Sequence, residues 1–165
     1  ELGAEAVGFT VYGGSNNEVE MFEEFRDIQE QARSYGVPVV MWSYPRGQGL
    51  KNDTSESTIA YAARLGLELG ADVTKVKYPG SQDAMEHVCE MAAPSKVLMS
   101  GGSKTSDRAF LEQVQAVIEA GAGGLAVGRN VFQRENPKAF LDALEQVIYE
   151  GATAEEALRA TPASA

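Results

Sequence analysis

The stretch Asp72-Val73-Thr74-Lys75-Val76-Lys77-Tyr78-Pro79-Gly80 sets two lysines two residues apart in a run that reads as a short buried strand, entered from a helix that stops at Gly70. Alternate residues of an extended chain point the same way, so Lys75 and Lys77 share one side of a sheet. Lysine is almost never fully buried without a reason. One ammonium lowers the proton affinity of its neighbour and burial lowers it further, which leaves a free amine able to attack a carbonyl. The pair is therefore a candidate Schiff-base centre. On this stretch alone, an edge strand carrying two solvated lysines reads equally well.

Working outward, apolar β-rich runs alternate with helical patterns along the whole chain. A strand is predicted over residues 7–12, closed by Gly13-Gly14, and a helix over about 17–35. That helix carries an apolar stripe of Val19, Phe22, Phe25, Ile28, Ala32 and Tyr35. Strands are predicted at 39–44, around the lysines, at 96–99 and at 124–127. The helices between them cover about 55–69, with Ile59, Ala62, Ala63 and Gly66 inward, about 82–93, and from Ser106 or Asp107 to Gly121. Helices over 137–149 and 154–160 follow, and Thr161 to Ala165 read as a frayed tail.

A strict β-α repeat implies a parallel sheet with right-handed crossovers. At roughly 30 residues per unit, eight units make about 240 residues, the length of a (β/α)8 barrel. Five units also suit a complete flavodoxin-like open sheet. Parity separates the two. Trp42, Tyr44 and Arg46 share one face of the second strand, and Lys75 and Lys77 one face of the third. An open sheet would bury these polar groups under helices, whereas a barrel aims them at its mouth. The expected fold class is thus α/β, a (β/α)8 TIM barrel of which this chain holds about five C-terminal βα units, strands 4–8. Residues 1–165 are read as the C-terminal part of one barrel domain, with strands 1–3 absent. The recurrence of Glu-Leu-Gly-Ala at residues 1–4 and 68–71 supports this reading, because in the second copy it closes a helix that the first copy lacks.

Composition narrows the partners. A net charge of −10 argues against nucleic acid and anionic membranes. The single cysteine, Cys89, has no partner for an internal disulfide and fits a reducing cytoplasm. Cys89 reads as core filler, and His87, flanked by Glu86 and Glu90, as solvated surface. With one histidine and no ligand-spaced cluster, neither a metal nor another cofactor is expected. Open barrel edges predict poor solubility or self-association for residues 1–165 alone, and a homo-oligomer is expected.

Barrel sites form at the C-terminal ends of strands. Here those ends read Tyr12-Gly13-Gly14, Trp42-Ser43-Tyr44-Pro45-Arg46-Gly47, Lys75-Val76-Lys77-Tyr78, Ser100-Gly101-Gly102 and Gly128-Arg129-Asn130. Glycines let backbone N–H groups approach an anion, and Arg129 adds a charged fork. In barrels, the loops after strands seven and eight often hold phosphate. Two such loops beside a paired-lysine strand point to a phosphorylated small molecule.

These motifs, with Val97-Leu98-Met99-Ser100-Gly101-Gly102 and Gly128-Arg129-Asn130-Val131-Phe132-Gln133, resemble archaeal-type class I fructose-bisphosphate aldolase in order and spacing across nearly all of the chain. The resemblance implies a sugar-phosphate lyase. It puts the Schiff-base lysine on Lys75, the general acid/base tyrosine on Tyr44 and a neighbouring active-site tryptophan on Trp42. It implies that Ser100, Gly101, Gly102, Gly128 and Arg129 grip one phosphate, and suggests Arg46 for the distal one. Lys77 is expected beside the substrate, as the cation that eases ionisation of Tyr44. Pro79 departs from the threonine expected there, and the family's catalytic aspartate follows the first barrel strand, outside these five units. Two other readings stay open: a sister Schiff-base aldolase that makes a deoxy-amino-heptulosonate for aromatic synthesis, and a half-barrel module without catalysis.

Overall fold

Five parallel strands pair in chain order in the computed structural model, which describes residues 3–160. The tail expected over Thr161–Ala165 and the first two residues lie outside the described residues. The elements run β1 (Val7–Val11), α1 (Glu18–Ser34), β2 (Val39–Ser43), α2 (Glu56–Glu68), β3 (Val73–Val76), α3 (Gln82–Ala92), β4 (Lys96–Ser100), α4 (Asp107–Glu119) and β5 (Gly124–Ala126). After β5 come a short helix α5 (Arg129–Phe132), then α6 (Pro137–Tyr149) and α7 (Ala154–Ala160). The sequence reading missed α5, treating 128–130 only as a glycine turn.

Local chemistry explains where the helices start and stop. Ser55, Ser81 and Ser106 each accept a hydrogen bond from the backbone N–H three residues on, and Asn136 does the same ahead of Pro137. Gly70, at φ 80°, takes the left-handed turn that ends α2 and redirects the chain into β3.

Strand order decides between the two architectures. A flavodoxin-like sheet reverses direction at a switch point. Here the order is β1-β2-β3-β4-β5 without reversal, as in an opened barrel. Burial agrees. Val39, Met41, Thr74, Val76, Val97 and Met99 face the helices and are 0–2% exposed, while their neighbours Trp42, Lys75, Leu98 and Ser100 on the other face are only half-buried. One face of the sheet is packed and the other is open. Register places Trp42 beside Lys75, Lys75 beside Leu98, and Ser100 beside Ala126.

Two apolar clusters fill the packed side. The larger joins α2, α3, α4, α6 and α7 around Met85, Phe110 and Phe140, and the smaller seats α1 on β1 and β2 through Phe25, Val11 and Met41. The expected α1 stripe needs correction at both ends. Val19 and Tyr35 are 64% and 83% exposed, whereas Gln29 is buried and its amide donates to the carbonyl of Gly70. Helical periodicity fixed the middle of the stripe but overran the width of sheet that α1 covers. His87 is exposed, as expected. Cys89 is half-buried against the larger cluster, and burial raises its thiol to about 11. No helix among the described residues is long and apolar enough to cross a membrane.

Candidate active site

The C-terminal ends of β2 to β5 surround an open cleft of ≈ 640 Å³. Its walls include Tyr44 and Arg46 after β2, Lys75 on β3 with Lys77 and Tyr78 beyond it, Ser100 at the end of β4 with Gly101 to Ser103 after it, and Gly128 and Arg129 after β5. Nine of the ten residues singled out from the sequence thus line one cavity: Tyr44, Arg46, Lys75, Lys77, Ser100, Gly101, Gly102, Gly128 and Arg129. None of the lining residues is an aspartate or glutamate.

Trp42 is the exception. It lies on the same sheet face, one strand over, and the Lys75 Nζ sits 6.0 Å from its ring centroid. The six-membered side of the ring packs on Gly8 of β1, where an added Cβ would come within 2.8 Å of it. The missing side chain at Gly8 is therefore the slot that holds the indole beside the lysine stem. Local pattern carries no hint of it, because only the pairing of Gly8 with Val40 brings position 8 under Trp42.

The two lysines have different surroundings. Lys75 faces the cleft beneath the glycine loops, while the ammonium of Lys77 is tied to the carboxylate of Asp53. Asp53 belongs to the loop between β2 and α2, which also carries Arg46. Sequence reading passed over it because the pair spans 24 residues of chain. The loop is held elsewhere too. The Arg46 N–H donates to the Gly13 carbonyl at 2.9 Å, and its guanidinium sits 5.7 Å from the Tyr12 ring centroid. Gly47 passes so close that a Cβ there would lie 1.9 Å from the Gly14 carbonyl oxygen.

The hydrogen bond from Lys77 holds the Asp53 carboxyl below its ordinary value of 3.8. A lowered carboxylate pKa stabilises the latched loop at any pH above that ordinary value, and the contribution fades as pH falls through the lowered one. At neutral pH, Asp53→Asn is expected to speed amide hydrogen exchange across residues 47–52 several-fold. Unchanged protection would show that Arg46 and Gly47 hold the loop by themselves. Burial raises the Tyr78 hydroxyl, so this wall of the cleft keeps its proton well past neutral pH.

The glycine loops after β4 and β5 meet at the far wall. Gly101 approaches Val127 so closely that a Cβ on it would lie 2.8 Å from Cγ1. Behind them sit Asn130 and Arg134, both buried. Asn130 stood inside a quoted motif without a role, and Arg134 was overlooked altogether. Its one sequence signal is an i,i+4 spacing from Asn130 in a segment that starts at a phosphate-type turn.

Comparison with known proteins bears on this arrangement. Residues 1–134 match the family model described as DeoC/LacD family aldolase. A class 1 fructose-bisphosphate aldolase of Halobacterium salinarum is 71% identical over 158 residues, which is 96% of this chain and 60% of that protein. The crystal structure of an archaeal fructose 1,6-bisphosphate aldolase superposes with a TM-score of 0.89 at 49% identity, over 91% of this chain and 60% of the other. A further archaeal fructose-1,6-bisphosphate aldolase, whose catalytic lysine is bound covalently to the carbinolamine intermediate, gives a TM-score of 0.87 at 48% identity, over 90% and 59%. The chain thus spans about three fifths of the length of these relatives.

Proposed function

Because the chain belongs to the DeoC/LacD family of aldolases, we propose that the protein carrying it is a class I, Schiff-base fructose-bisphosphate aldolase. It cleaves fructose 1,6-bisphosphate reversibly to dihydroxyacetone phosphate and glyceraldehyde 3-phosphate. The observation that carries this reading is the placing of Lys75 in one cleft with Ser100, Gly101, Gly102, Gly128 and Arg129. An amine and an anion-binding wall face the same space. We read the five units as the last five of a (β/α)8 barrel, since β4 and β5 carry the two loops that barrels use after strands seven and eight. The short helix α5 after β5 suits the same reading, since such an extra helix often completes the phosphate site.

The chemistry follows from the residues. With one phosphate held between the glycine loops and Arg129, and the distal one by Arg46, the C2 ketone comes within reach of Lys75. The amine adds to the carbonyl carbon, and loss of water from the carbinolamine leaves an iminium ion. That cation accepts the electron pair of the C3–C4 bond while Tyr44 takes the proton of the C4 hydroxyl, so the aldehyde product departs and an enamine stays on Lys75. Protonation at C3 and hydrolysis release dihydroxyacetone phosphate and restore the amine. Trp42, lodged over Gly8, restricts the lysine stem to the cleft side. The net charge of −10 disfavours nucleic acid and anionic membrane surfaces as partners, and the single cysteine suits a reducing cytoplasm.

The test is borohydride reduction of the complete protein in the presence of dihydroxyacetone phosphate. A covalent mass gain on the peptide bearing Lys75 is expected, and a protein that never gains mass is no Schiff-base aldolase. Turnover of fructose 1,6-bisphosphate, set against condensation of the heptulosonate precursors, separates the sister enzyme.

A further inference from the structure

The anion-binding wall is made of two loops from different βα units, and the structure joins them by a buried polar knot. Asn130 is 1% exposed and uses both ends of its amide. Its Nδ2 donates to the carbonyls of Gly101 and Ser103, and its Oδ1 accepts from the Thr105 N–H at 3.0 Å. An amide offers two donors and an acceptor oxygen. Every one of them is spent on the neighbouring loop or on Arg134, whose Nη2 lies 3.4 Å from Oδ1.

Arg134, 8% exposed, closes the knot. Its Nε donates to the Asn130 carbonyl at 2.8 Å, and Nη1 donates at 2.6 Å both to the Thr105 carbonyl and to the Asp107 carboxylate. The guanidinium lies 4.2 Å from the Phe140 ring centroid, so α6 supports it from beneath. A planar fork that meets two backbone carbonyls and a carboxylate at once has no lysine equivalent. The carbonyls of Gly101, Ser103 and Thr105 thus all turn back to Asn130 and Arg134, away from any ligand in the cleft.

We propose that Asn130 and Arg134 are positioning residues that lock Ser100–Thr105 to Gly128–Arg129, so that the two halves of the anion-binding wall hold one geometry before any ligand arrives. This rests on the reading of the cleft as a phosphate site. Neither residue lines the cleft. Their effect is exerted through the loops they fasten, and it falls on affinity for phosphate rather than on the amine.

The probe is inorganic phosphate, titrated into the complete protein calorimetrically. Asn130→Ala is expected to weaken its binding by at least about tenfold, the scale of one lost charge-assisted contact. The KM for fructose 1,6-bisphosphate should rise by a similar factor and by more than kcat falls. Arg134→Lys, which keeps the charge and loses the fork, covers the case in which Asn130→Ala does not fold. It should give an intermediate loss. Phosphate affinity within twofold of the parent in either folded variant overturns the proposal, because a merely structural role would leave it unmoved. Borohydride trapping with saturating dihydroxyacetone phosphate runs in parallel. If the parent fails to trap while phosphate binding still responds to the variants, the aldolase reading falls and the knot stands.

Discussion

Lys75→Ala in the complete protein is expected to abolish both the borohydride-trapped adduct and measurable cleavage of fructose 1,6-bisphosphate. The loss should be on the order of 10⁴-fold or more, the scale seen when a covalent catalyst loses its nucleophile. Lys77→Ala is expected to keep the adduct. The two lysines share a sheet face two residues apart, so chain geometry alone treats them alike. Their partners do not. The Lys77 nitrogen is already engaged by Asp53, at the point where the β2–α2 loop comes down over the strand end. Lys75 instead lies between Trp42 and Leu98 on the adjoining strands, with its end in the cleft. Peptide mass spectrometry after trapping distinguishes them, and an adduct that survives Lys75→Ala would move the chemistry to Lys77.

Gly66→Ala should lower the melting temperature by several degrees, against the trend for glycine in a helix. Alanine is favoured over glycine in a helix interior by about 1 kcal/mol. Here the added methyl would stand 2.1 Å from the Thr74 Oγ1 and 2.9 Å from its Cβ. Threonine is stiff at χ1 and this one is fully buried, so it has no rotamer to escape into. Overpacking of that kind costs about 1–3 kcal/mol and sometimes more, which outweighs the gain in propensity. The expected net loss of up to about 2 kcal/mol corresponds to a drop of up to roughly 4–8 °C for a chain of this size. Thr74 adjoins Lys75, so activity should fall in the same variant. A melting temperature at or above the parent's would show that α2 and β3 separate without cost.

Much of this was readable from the chain before any coordinates. The period-two and period-3.6 patterns mark the elements, and polar parity at 42, 44, 75 and 77 chooses the opened barrel over the doubly wound sheet. Glycine pairs at two successive strand ends mark the wall opposite Lys75. What stayed hidden are pairings between distant segments. Asp53 meets Lys77, Gly8 makes room for Trp42, and Arg134 reaches back to Thr105. Each of these needs the register of neighbouring strands or the path of a loop, and local pattern contains neither. The overrun of the α1 stripe has the same origin. Val19 and Tyr35 continue the period beyond the span of sheet that α1 has to cover.

Strand order that follows chain order has a consequence for biogenesis. Each strand leaves the ribosome with its pairing partner already synthesised, about thirty residues ahead of it, so the sheet can grow by accretion during translation instead of waiting for a distant terminus. Loop-closure entropy rises only slowly with separation, and each pairing step from β1 to β5 closes a loop of similar and modest length. Until a barrel closes, the nascent sheet would carry two unpaired strand rims, one fixed on its first strand and one advancing with the newest.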